Sequence, residues 1–169
     1  MSRAFVKEQD GDEVDAGLPE RQQSDHPNYI TLRGVEDLKT RIAAMRARRQ
    51  ELETAPEALS AKSELQILKS ELSYLEKRLQ SAIPVDPAEQ AMDVIRFGAT
   101  VALVDADGAR HSFTIVGEDE ADVARGRISW VSPLGRELLN RKTGDCLTWH
   151  RPAGDLELEV LQFDYSDAG

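Results

Sequence analysis

The chain has 169 residues, 40% hydrophobic and 31% charged, with a net charge of −10. That suits one domain or two small ones and excludes a wholly disordered chain. The acidic balance argues against autonomous binding to duplex nucleic acid, no apolar run approaches the roughly 20 residues that span a bilayer, and the acidic N-terminus is unlike a signal peptide, so a cytoplasmic protein with no membrane partner is expected.

Residues 1–28 are polar, acidic and without period, and are read as a disordered tail. From Val35 the pattern becomes helical. Val35, Leu38, Ile42, Met45 and Leu52 form one apolar series, broken only by Arg49. Ala58, Ala61, Leu65, Leu68, Leu72, Leu75, Leu79 and Ala82 form a second. The 3-4 spacing of both predicts two helices that share a seam. Pairing 38 with 79, 42 with 75, 45 with 72, 49 with 68 and 52 with 65 needs only one fold-back point, near residues 58–59. Thr54-Ala55-Pro56-Glu57 reads as a capping box that opens the second helix, and Pro84 and Pro87 stop it. Residues 29–84 are therefore expected to form an antiparallel helical hairpin. Its outer faces are dense in Arg, Lys and Glu, which favours a projecting, solvated hairpin over one buried as ordinary core.

After the prolines the period becomes two. Ala99–Val104 and His111–Val116 flank an Asp-Gly turn at residues 105–109. Arg127–Val131 predicts a third strand, and Ser132-Pro133 caps and opens a short helix through Leu139. Cys146–His150 and Leu156–Phe163 predict a final hairpin through Pro152-Ala153-Gly154. The fold class is α+β: a helical hairpin followed by a curved antiparallel sheet with one short helix over residues 96–165. Aromatics are only 5% of the chain, so the core must be mostly aliphatic.

No catalytic constellation is visible, and neither a cofactor nor a metal site is expected. A single cysteine, Cys146, excludes an internal disulfide, and it is read as buried beside Trp149. His26, His111 and His150 are scattered. Asp105 and Asp107 read as a solvated turn, and the acidic run Glu118-Asp119-Glu120-Ala121-Asp122 as a solvated loop.

These residues carry a resemblance. Phe97-Gly98-Ala99-Thr100-Val101, the stretch Ile115–Asp122, Ile128-Ser129, the stretch Ser132–Leu139 and Gly144-Asp145 are similar to the C-terminal domain of the bacterial GreA/GreB transcript-cleavage factors. Tyr29–Leu38 resembles the opening of that family's coiled coil, and Leu75–Leu79 with Val85-Asp86 its exit. The resemblance implies an FKBP-like C-terminal domain that holds the rim of the RNA polymerase secondary channel while the coiled coil enters it. The partner it implies is the RNA polymerase core, with nucleic acid contacted only within that complex, and the factor is expected to be a monomer. The family's polymerase-facing loop carries over to Ser132 and Pro133, with Leu134 and Arg136 beside them. Ser132 as a plain helix cap remains an equal reading.

The tip departs from the family pattern. Cleavage-competent members carry an acidic motif there whose carboxylates hold a catalytic Mg²⁺, a role that needs hard anionic oxygens. Here the tip offers Glu53 and Glu57 across a proline, and each arm is about one heptad short, roughly 10 Å less reach. A shortened hairpin of this kind resembles the nucleoside diphosphate kinase regulator. The expectation is a non-enzymatic polymerase regulator; the alternative is a working cleavage factor using Glu53 or Glu57. A prolyl isomerase, from fold analogy alone, is the reading from another class.

Overall fold

A computed structural model of the chain describes residues 21–54 and 59–165. Strand β1 (Tyr29–Thr31) leads directly into α1 (Leu32–Thr54), and α2 (Leu59–Gln80) returns antiparallel to it. Residues 55–58, with Glu57 and the expected capping box, lie outside the described residues. At 23 residues α1 is about 35 Å long.

The seam follows the predicted register. Leu38, Ile42, Leu52, Leu72 and Leu75 are buried, and Val35, Met45, Leu68, Leu79 and Ala82 pack against them. Ion pairs line both flanks. Arg41–Glu71 and Arg48–Glu64 are each centred on residue 56, and Arg46–Glu76 and Glu53–Lys69 on residue 61, so the two rows straddle the predicted fold-back. Among the described residues each helix packs chiefly on the other. Arg49 interrupts this seam. Its Nε is buried without a hydrogen-bond partner and lies 3.7 Å from Glu53. Replacing Arg49 with leucine should be neutral or stabilise by up to about 1 kcal/mol, since a half-exposed ion pair contributes little and leucine adds apolar packing to the seam. Urea unfolding checks this; a loss above 1 kcal/mol would mean a different register.

The base of the hairpin departs from expectation. Residues 83–85 form strand β2 (Ile83–Val85), which pairs in parallel with β1. Pro84 thus ends the helix and also sits in a two-stranded strap at the hairpin base, where an edge position spares its missing N–H. Residues 21–28, assigned to the tail on composition, pack against this base. Asn28 is buried, and its amide donates to the Arg78 carbonyl at 2.7 Å and to Ser81 Oγ at 3.1 Å. These two side-chain hydrogen bonds to the hairpin base outweigh a polar composition.

The sheet comprises β3 (Thr100–Asp105), β4 (Arg110–Val116), β5 (Arg127–Ser129), β6 (Cys146–Trp149) and β7 (Leu156–Asp164), in the order β5-β4-β3-β7-β6. It is not wholly antiparallel: β5 runs parallel to β4. The ten residues between them form two short 3-10 turns, long enough to bring the chain back to the same end of the sheet. The Asp-Gly turn joins β3 to β4 with Gly108 at φ 84°, the left-handed region glycine favours. Helix α3 (Pro133–Leu138) closes one face over an aliphatic core that includes Ile95, Leu103, Ile115, Leu138, Leu158 and Val160.

Cys146 is exposed, contrary to expectation. Leu147 takes the core face opposite Leu158, so alternation turns its neighbour Cys146 outward and leaves Trp149 on the core side. No helix among the described residues is long and apolar enough to cross a membrane.

Candidate functional site

Helix α3 starts where the sequence predicts. Ser132 Oγ accepts from Gly135 N at 3.1 Å and donates to the Ser129 carbonyl at 2.6 Å, while Pro133 occupies the first helical turn. One hydroxyl therefore caps the helix and ties it back to the end of β5. Pro133 and Arg136 are exposed, but Leu134 is 2% exposed and belongs to the core. Leu134 can act only by holding the loop in place. Ser132→Ala should cost about 1 kcal/mol in thermal unfolding from the lost cap, with Pro133 and Arg136 still presented.

The sequence reading missed Trp130, immediately before this loop. Its ring meets Tyr29 at 5.3 Å and His26 at 5.9 Å, both edge-on. His26 Nε2 lies 3.3 Å from Arg136 Nη2. Residues from the N-terminal segment, the strap and α3 thus converge on one surface. One of only two tryptophans beside a Ser-Pro cap was the available signal.

The predicted tip residues lie elsewhere. Glu53, one residue from the end of α1, is half-exposed and sits 3.7 Å from Arg49 and 3.8 Å from Lys69. Nothing brings it near the Ser132 loop. Among the described residues no group of three or more His, Cys, Asp or Glu could hold a metal ion. Asp105 explains itself locally: it accepts from Ala109 N at 2.8 Å, Asp107 N at 3.1 Å and meets His111 Nε2 at 3.0 Å. Those bonds, His111 foremost and then the backbone, hold its carboxyl below the usual range.

The acidic run at 118–122 is the largest departure from expectation. Its first three residues form a 3-10 turn whose carboxylates face the hairpin base rather than water. Asp119 accepts from Arg78 Nε and from the Tyr74 hydroxyl, the latter at 3.1 Å. Burial, followed by the Asp119 charge, pushes the Tyr74 phenol upward. Glu120 accepts from Thr31 N at 3.0 Å, from the Thr31 hydroxyl and from Gly117 N at 2.9 Å. In a sequence this run looks identical whether water or a neighbouring helix surrounds it.

Comparison with known proteins now bears on these features. Residues 89–165 match the family described as transcription elongation factor, GreA/GreB, C-term. The chain is 40% identical over 108 residues to a transcription elongation factor GreB of Neisseria meningitidis, covering 63% of this chain and 66% of that protein. It is 33% identical over 153 residues to a transcription elongation factor GreA of Alkalilimnicola ehrlichii, covering 81% of this chain and 97% of that protein. Among solved structures it is similar to GreA factor homolog 1 of Thermus thermophilus, at 29% identity and a TM-score of 0.40, over 82% of this chain and 99% of that one. With one relative matched along nearly its whole length, the chain belongs to the GreA/GreB family of transcription elongation factors.

Proposed function

We propose that this protein docks on the bacterial RNA polymerase core through the exposed edge around Ser132, Pro133 and Arg136, and directs its hairpin into the secondary channel. There it regulates elongation or initiation without stimulating transcript cleavage. Family membership supports the partner, and a rigid, capped loop beside an aromatic cluster suits docking, because little is lost in ordering it.

One observation carries the non-cleaving reading: the Glu53 carboxylate is already flanked by Arg49 and Lys69. A carboxylate that delivers Mg²⁺ must compensate the ion for lost hydration, and two neighbouring cations weaken that hold. The shorter arms act in the same direction, since a tip that stops short cannot place a metal at the reacting phosphate.

The test is transcript cleavage by backtracked elongation complexes, with and without the full-length protein, together with co-elution on polymerase core. Binding with no acceleration of cleavage is expected. Acceleration that is abolished by Glu53→Ala with Glu57→Ala, while binding persists, would establish the alternative of a working cleavage factor.

A further inference from the structure

We propose that the turn Glu118–Glu120 is a two-point clamp that sets the direction of the helical hairpin relative to the sheet. Adjacent carboxylates hold the two helices separately. Asp119 takes α2 through Arg78, whose side chain is 2% exposed, with Glu118 completing the pair at 3.7 Å from Arg78 Nη2. Glu120 takes α1 at its start. It binds Thr31 through both the backbone N–H and the hydroxyl, and Thr31 Oγ1 in turn accepts from Gly34 N at 2.9 Å, the bond of a helix cap.

The geometry needs a glycine at 34. A Cβ there would lie 2.3 Å from the Glu120 carboxyl, so any larger residue pushes the carboxylate off the helix end. Other contacts also join hairpin and sheet, notably Tyr29 against Phe97 and Trp130. Ring contacts hold surfaces together but tolerate sliding and rotation. Charge-assisted hydrogen bonds are directional, and two sets of them, one on α2 and one on the residue that caps α1, leave little freedom to pivot. The leverage is large: a 20° swing of an arm of about 35 Å would move its tip by about 12 Å. A clamp at the base therefore aims the distal end.

The measurement is made on the free protein, so its outcome does not depend on whether polymerase is the partner. Cys146 is the single cysteine and is exposed, which makes it a native attachment point for a spin label. A second label at Ser63→Cys, exposed near the distal end of α2, reports hairpin direction through the distance distribution in pulsed electron resonance. The unaltered clamp should give one narrow distribution. Asp119→Ala with Glu120→Ala should broaden or shift it by about 5 Å or more, well within the displacement a modest swing produces. Gly34→Ala should do the same by displacing Glu120 without removing a carboxylate, and it serves if the double variant fails to fold. Arg46→Gln, which cuts an ion pair on the hairpin flank away from the turn, should leave the distribution unchanged. Clamp variants that fold with the parent distribution overturn the proposal. So does equal broadening by Arg46→Gln, because hairpin loosening would then account for the effect.

Discussion

Replacing Arg78 with methionine should lower the free energy of unfolding by about 3 kcal/mol. The side chain is 2% exposed, and its Nε and Nη2 face Asp119 and Glu118, themselves mostly shielded at 15% and 24% exposure. Methionine retains much of the stem's packing but leaves two carboxylates beside an apolar group with no cation. Removing one partner of a buried ion pair costs more than the intact pair contributes, because the survivors keep their desolvation penalty. In urea the midpoint should fall with the slope unchanged, the signature of lost stability without a change in surface exposed. A loss below 1 kcal/mol would show that water reaches both carboxylates once the guanidinium is gone.

Gly135→Ala should destabilise by about 2–3 kcal/mol, the upper part of the range for overpacking. A Cβ at 135 would stand 2.3 Å from the Ser129 carbonyl oxygen and 3.1 Å from the Trp130 Cα. Both are backbone, so neither can swing aside, and α3 must lift from β5. The Ser129 carbonyl also accepts from Ser132 N at 3.0 Å and from the Ser132 hydroxyl, so lifting the helix strips the turn that presents Pro133. The melting temperature should drop by about 5–10 °C. Polymerase binding should weaken in proportion more than it does for Ser132→Ala, which loses the cap but not the seat of the helix. An unchanged melting temperature would mean that α3 rides farther from the strand.

What the sequence alone determined was set by neighbours along the chain. Leu38, Ile42, Leu72 and Leu75 recur at helical spacing, and that spacing carries both the hairpin and its register, because only one fold-back buries every apolar position. Ser132-Pro133 and the turn at Gly108 were legible for the same reason: a cap and a left-handed turn are satisfied within three or four residues. What only the tertiary structure decided depends on partners far away. Asp119 and Glu120 find theirs 41 and 89 positions distant, and an acidic run has no period that distinguishes a solvated loop from a clamp. Cys146 failed on phase, since one residue of offset in a strand exchanges its two faces and the composition of β6 fits either. The strap of β1 and β2 is three residues a side, too short for any alternation to show, and exists only because the two ends of the hairpin are brought together. Local periodicity specifies the elements; the joint between them is specified by long-range charge pairing that no window of sequence contains.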